Sequence, residues 1–282
     1  MKARWVVEGA EAGVEEILER MRDPSALGDG RAFVNGARAR AGARVQPGDV
    51  VEVWAARGRA DAPLEILHRE EDFIAVNKPA ALATIADHRG DASLAAIVAA
   101  ALGGGAEPHA VSRLDVGVSG VVLFATTRRG SAELDEATRS GALAKLYVGI
   151  AKGELAEAGR FDAPVAGKPA GTRFRTLGAA RGATLVALRL ETGRLHQIRE
   201  HLAGARAPLF GDRRRRGPSS VVASDGRVLP LDRILLHASR VRLARGGRTL
   251  EIIAPVPLEL REAWSALDGD ERAWNALERV DP

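Results

Sequence analysis

Val111-Ser112-Arg113-Leu114-Asp115-Val116-Gly117-Val118-Ser119-Gly120-Val121-Val122 is the stretch whose reading decides the fold. Its last residues open Val121-Val122-Leu123-Phe124-Ala125, an unbroken apolar run of the kind found in a strand buried on both faces. Gly117 and Gly120 on the approach allow sharp backbone geometry. Asp115 therefore stands at a strand entrance. From these residues alone its carboxylate is open to four roles: nucleophile, metal ligand, turn cap for the Gly117 amide, or ion-pair partner of Arg113.

A second segment gives Asp115 a context. The strand-like Thr184-Leu185-Val186-Ala187-Leu188-Arg189-Leu190 runs into Glu191-Thr192-Gly193-Arg194-Leu195-His196-Gln197-Ile198-Arg199-Glu200-His201-Leu202. Here a strand turns into a helix. Thr192 is read as the helix N-cap, and Leu195, Ile198 and Leu202 fall at helical spacing, so all three are expected to face the core. Arg199 then lies near the inward face, where a buried guanidinium needs an anionic partner, and Asp115 is the candidate.

Together these segments resemble the large RluA-type family of pseudouridine synthases, whose pattern is His-Arg-Leu-Asp with Thr-Ser-Gly, then a Lys-x-Tyr strand, then Thr-Gly-Arg-x-His-Gln-Ile/Leu-Arg. Further motifs follow in order. Residues 64–79 read as a strand pair ending in Asn77-Lys78-Pro79, and Lys145-Leu146-Tyr147-Val148 is the Lys-x-Tyr strand. Pro208-Leu209-Phe210-Gly211-Asp212 supplies a Gly-Asp turn and Leu235-Leu236-His237-Ala238 a late strand. The resemblance spans residues 64–262.

The resemblance implies isomerisation of uridine in RNA, with Asp115 as covalent nucleophile, Arg199 orienting it, and Tyr147 stacking on the uracil with its hydroxyl near C5. Arg113 would fill the space left by a displaced base, while Arg194, His196 and Gln197 would contact substrate. No cofactor and no metal are implied. Without the resemblance, Tyr147 is a core aromatic and Arg113 an ion-pair partner. Three departures stand out: Ser112 for the histidine, Val118 for the threonine, and Arg213-Arg214-Arg215-Arg216 where a tyrosine-containing turn is usual. That arginine run is read either as a solvated loop or as a phosphate-contacting one. A non-catalytic RNA-binding or assembly protein on the same scaffold is the competing reading.

Composition fits an RNA partner without demonstrating it. The 282 residues carry 41 Lys+Arg against 37 Asp+Glu, a net charge of +4, and all the basic residues but Lys2, Lys78, Lys145, Lys152 and Lys168 are arginine. Arginine forks match phosphates and stack on bases, although such a bias also arises from genome composition. The absence of cysteine excludes disulfides and thiolate metal sites. His196 and His201 are at i and i+5, not the i, i+4 of a zinc-binding helix. Gly103-Gly104-Gly105 lacks the Lys-Ser/Thr of a phosphate loop and reads as a helix stop, and Gly117 to Gly120 does not complete Gly-x-Ser-x-Gly. No long apolar run or signal-peptide core is present, so a cytoplasmic protein is expected; the sequence does not report oligomeric state, and a monomer is the default.

Two domains are expected. Residues 1–54 combine a short amphipathic helix (Val14, Ile17, Leu18, Met21), a strand and turn at Ala32-Phe33-Val34-Asn35-Gly36, and a strand from Val50. This pattern resembles the S4-type RNA-binding domain in a degenerate form, because Glu11, Glu15, Glu16 and Glu19 make its helix region acidic, leaving Arg38, Arg40 and Arg44 to meet phosphate. Residues 55–63 read as a linker. Residues 64–282 are expected to form an α+β catalytic domain with a mixed, mainly antiparallel, bent sheet and flanking helices, rather than a doubly wound one. Ribosomal RNA is the favoured target class, transfer RNA the second.

Overall fold

The structure, a computed structural model, describes residues 2–21, 23–27, 32–54, 64–86, 93–103 and 107–281. Two compact units emerge, Met1–Arg59 and Ala60–Pro282. The expected linker, residues 55–63, lies outside the described residues, as do Gly104 and Gly105.

In the first unit, strands β1 (Lys2–Val6), β2 (Ala12–Gly13), β3 (Ala32–Val34), β4 (Ala37–Arg38), β5 (Arg44–Val45) and β6 (Val50–Trp54) surround one helix, α1 (Val14–Arg20). The main sheet has the order β1-β6-β3-β4, and β2 pairs with β5. Val14, Ile17 and Leu18 bury one face of α1 against Val45, Val51 and Val53. The β3–β4 turn is Asn35-Gly36, both at positive φ, as a two-residue hairpin requires. Asn35 also accepts from the Val50 amide and donates to Asp49, closing the unit from the side. Of the arginines expected to meet phosphate here, Arg44 is paired with Glu11 at 2.6 Å and Arg40 is exposed.

The second unit contains β7 (Ile66–Arg69), β8 (Phe73–Lys78), α2 (Leu94–Ala101), β9 (His109–Ala110), β10 (Ser119–Ala125), α3 (Arg128–Ser140), β11 (Leu143–Lys152), β12 (Ala158–Phe161), β13 (Thr172–Ala180), β14 (Ala183–Leu190), α4 (Gln197–Gly204), β15 (Ser220–Val222), β16 (Val228–Pro230), β17 (Leu236–Arg245), β18 (Arg248–Ile253), α5 (Leu258–Ala266) and α6 (Ala273–Glu278). The large sheet runs β12-β13-β14-β11-β17-β10-β8-β7, with β18 on β17 and β9 on β10. It is the mixed α+β sheet that the sequence implied. Every pairing is antiparallel except β10 with β17, which is parallel over only Ser119↔His237 and Gly120↔Ala238.

That short parallel contact joins the two antiparallel halves of the sheet, and Asp115 lies just before it. Gly120 has φ +119, and a Cβ there would stand 2.2 Å from the Ala238 carbonyl oxygen, so only glycine lets the two strands approach. All of β10 is buried. Alternation divides its neighbours between layers. Ile74, Val76, Val122 and Phe124 face α2 and α4 with Tyr147 and Leu188, whereas Phe73, Ala75, Val121 and Leu123 face α3. On β11 the intervening Leu146, Val148 and Ile150 pack under Trp264 and Trp274 of α5 and α6. No helix among the described residues is long and apolar enough to cross a membrane.

Candidate active site

Asp115 sits in a turn closed by the Val118 amide donating to its carbonyl oxygen at 3.0 Å. Residues on both sides of it are tied to the segment after β8. Thr84 Oγ1 donates to the Leu114 carbonyl and accepts from the Leu114 amide, both at 3.0 Å. On the other flank the Ala81 amide donates to the Val116 carbonyl at 2.7 Å, with Ala81 held at φ +67. Lys78, fully buried, fastens that segment by donating from Nζ to the carbonyls of Pro79 (2.9 Å) and Leu82 (2.7 Å). The backbone carrying Asp115 is therefore gripped from before and behind.

Burial and the nearby Arg233 charge push the Lys78 pKa down to about 7, against a smaller opposing pull from Asp115. Because the folded value lies below the unfolded one, the unfolded chain holds more protons between pH 7 and 10, so stability rises with pH across that window. The expected slope from this group is up to about 1.4 kcal/mol per pH unit. Urea midpoints of the wild type and of Lys78→Met at pH 7 and pH 9 check it: the wild type should gain on the variant as pH rises.

The Asp115 carboxylate projects toward the start of α4. Arg199 Nη1 donates to its Oδ2 at 2.6 Å, and His196 Nε2 lies 3.5 Å from its Oδ1. Arg199 also makes a second, bidentate pair: Nε with Asp212 Oδ2 at 2.6 Å and Nη2 with Asp212 Oδ1 at 2.7 Å. Burial works against the Arg199 charge, yet Asp212 and Asp115 outweigh it and raise its pKa. The two carboxylates differ in access, the Asp115 side chain being 18% exposed and that of Asp212 1%. Tyr147, buried on β11, has its pKa raised by burial and then by the Asp115 charge, which places the phenol within the electrostatic reach of that carboxylate. Burial likewise depresses the His196 pKa.

Several expected residues take other parts. Helix α4 begins at Gln197 with His196 as its cap, in the left-handed region at φ +60, so Thr192 is not the N-cap. Gln197 explains the shift. Its Oε1 accepts from the Thr192 hydroxyl and the Arg194 amide, and its Nε2 donates to the Gly171 carbonyl and Thr172 Oγ1. Gln197 is thus a buried strut of the loop rather than a substrate contact. Leu195, now in a turn instead of the helix, is 65% exposed and not in the core, whereas Ile198 and Leu202 are buried.

The arginine run also divides. Arg215 is 13% exposed and pairs with Glu200 and, at 3.7 Å, with Asp212, so it belongs to the support of Arg199 and not to a solvated loop. Arg213 donates to the Leu231 carbonyl, while Arg214 and Arg216 are exposed. Arg113 is exposed and makes no ion pair among the described residues, and Arg194 is exposed with Nε on the Pro169 carbonyl. Val118 is buried in the core, and Ser119 beside it joins a buried network. Arg233 donates to Ser119 Oγ at 2.6 Å, and Ser119 Oγ bonds His237 Nδ1 at 2.7 Å. Asp212, Thr84 and Arg233 received no role from the sequence. The Gly-Asp turn was the only available sign of the first.

No cluster of three or more His, Asp or Glu side chains suited to a metal occurs among the described residues. The family model for RNA pseudouridylate synthase matches residues 72–204. An uncharacterized RNA pseudouridine synthase of Mycobacterium bovis is 31% identical over 299 residues, covering 92% of this chain and 94% of the relative. Ribosomal large subunit pseudouridine synthase D of Escherichia coli K12 is 32% identical over 240 residues, 74% of this chain and 72% of the relative. Among solved structures, human RNA pseudouridylate synthase domain containing 1 superposes with TM-score 0.59 at 21% identity, over 80% of this chain and 98% of that one, which shows the shared fold. With an aspartate at the sheet junction, an arginine on it and a tyrosine within its electrostatic reach, and a relative 31% identical over 92% of its length, the chain belongs to the RNA pseudouridine synthase family.

Proposed function

We propose that this protein converts specific uridines of RNA to pseudouridine, with ribosomal RNA its target class ahead of transfer RNA, Asp115 its nucleophile and no cofactor. The relative named for the large ribosomal subunit supports the target class. One observation carries the assignment of the nucleophile. Of the two carboxylates on Arg199, Asp212 is sealed and doubly bonded, whereas Asp115 keeps access to solvent and, among the described residues, leaves Oδ1 with no partner nearer than His196 at 3.5 Å.

The reaction breaks the C1′–N1 bond, turns the uracil, forms a C1′–C5 bond, and releases the C5 proton while N1 takes one up, with no net oxidation or reduction. A carboxylate that bonds covalently to the substrate divides this into easier steps. Arg199 orients it by a charge-assisted bond. Tyr147 stacks on the base and handles the C5 proton. Burial, and then the Asp115 charge, raise the pKa of its hydroxyl. Exposed Arg113 occupies the space a flipped nucleotide vacates, and Arg194, His196, Arg213, Arg214 and Arg216 meet the RNA around the opening. The first unit serves as a degenerate S4-like module, with Glu15 committed to the Gly42 amide and Arg44 to Glu11. We take the protein to act as a monomer on its RNA in the cytoplasm.

Incubation with unmodified ribosomal RNA and pooled transfer RNA, followed by mapping of carbodiimide-dependent reverse-transcription stops, tests the proposal. A new stop made by the wild type identifies reaction and site; bound RNA without any stop overturns it in favour of a non-catalytic RNA-binding protein. In the same assay Thr84→Val, which keeps the side-chain shape but loses both bonds to Leu114, is expected to lower kcat about tenfold with KM unchanged, because a misplaced nucleophile costs rate rather than binding. Thr84→Ser should restore it.

A further inference from the structure

Three adjacent strands carry arginines directly opposite one another. Arg160 on β12 faces Arg173 on β13, and Arg173 faces Arg189 on β14. Arg175 lies two residues further along β13, where strand alternation returns to the same face. All four are exposed. This is the face away from Phe174 and Leu188, which pack with Tyr147 in the core on the cleft side. Next in the row is Leu146, which is covered by the α5–α6 layer. The arginines therefore occupy the part of the sheet that those helices leave open.

Like charges placed directly across a ladder destabilise it, and the counter-charges do not cancel these. Glu191 takes Arg173 Nε at 2.6 Å and Arg160 Nε at 2.9 Å, and Asp162 approaches Arg160 at 3.4 Å. Asp281 is paired with Arg242 at 2.8 Å and feels Arg240 and Arg189 more weakly. Arg175 and Arg189 make no ion pair or hydrogen bond among the described residues. The row also meets the candidate active site: Glu191 opens the loop that continues through Arg194 to His196, and Gly171, beside the Arg194 anchor at Pro169, lies against both Glu191 and Arg160.

We propose that Arg160, Arg173, Arg175 and Arg189 form a phosphate-binding track that leads the RNA from the Arg194–His196 turn around the β12 edge of the sheet, away from the reacting uridine. The inference rests on the reading of the substrate as RNA. A polyanion fits the row because its phosphates recur along a chain and match guanidinium forks. A protein partner would need a buried aromatic or aliphatic anchor at the centre of its contact, and the one aromatic on β13, Phe174, is turned to the core.

The test is the salt dependence of binding to unmodified large-subunit ribosomal RNA transcribed in vitro, measured by filter retention from about 50 to about 200 mM KCl. The Arg175→Ser/Arg189→Ser double variant breaks no ion pair, and Arg175→Glu/Arg189→Glu relieves the repulsion with Arg173, so folding is retained in at least one. Arg139→Ser/Arg248→Ser removes the same charge from another surface as a control. The track predicts that the slope of log K against log salt becomes shallower by about 1.5 in the serine variant, corresponding to two lost phosphate contacts, and is unchanged in the control. Equal slopes for wild type and both track variants, or an equal change in the control, overturn the track. Since the readout is binding, absence of turnover by the wild type would count against the proposed reaction and not against the track.

Discussion

Replacing Asp115 with Asn is expected to abolish pseudouridine formation, by about 10⁴-fold or more, with folding and RNA affinity nearly unchanged. The asymmetry of the Arg199 site gives the reason. Asn is close to isosteric and its amide oxygen can still accept from Arg199 Nη1. Arg199 itself stays clamped by its two bonds to Asp212. The turn also persists, because Thr84 and Ala81 hold the backbone of Leu114 and Val116 and not the Asp115 side chain. What disappears is the atom that bonds to the substrate. Mapping the modified position, together with the Kd for RNA and the Tm of the variant, checks all three parts. Turnover within tenfold of the wild type would remove Asp115 from the chemistry.

The parts of this site that could be read in advance are those with a short-range signature. The apolar run of residues 121–125 is a fully buried strand, as its pattern indicated, and Arg199 does reach Asp115, as a buried cation in that helix required. The start of α4 was not legible. Periodicity reports where apolar side chains would fall once a helix exists, but it does not fix the first turn, and here a buried glutamine amide holds residues 192–194 out of the helix. Leu195 was misplaced for that reason. Nor does sequence spacing reveal which residue satisfies a buried polar group when the partner is distant in the chain. Thr84 meets Leu114 across 30 residues, and Arg199 meets Asp212 across 13. Four consecutive arginines looked alike as charges; their burial, which separates Arg215 from Arg214 and Arg216, is set by Glu200 and Asp212 below them.

Replacing Arg199, unlike Asp115, is expected to act through the fold as well as the reaction. Arg199→Met leaves Asp212 almost fully enclosed with Arg215, at 3.7 Å, as its one remaining ion-pair partner among the described residues. Removing one member of a buried pair costs about 3–5 kcal/mol because the other charge remains unsatisfied. In a chain of this size that corresponds to a Tm lower by about 5–10 °C. Arg199→Lys keeps the charge but cannot supply three directed bonds to two carboxylates, so it should fall between wild type and Met. The decisive variant is Arg199→Met/Asp212→Leu. With both buried charges removed, most of the lost stability should return, yet pseudouridine formation should stay depressed by at least about 100-fold, because Asp115 no longer has the guanidinium that aims it. Recovery of both stability and turnover would mean that Arg199 serves only to neutralise Asp212. Recovery of stability alone would establish that one guanidinium does two separable jobs, closing the core through Asp212 and presenting Asp115 to the substrate.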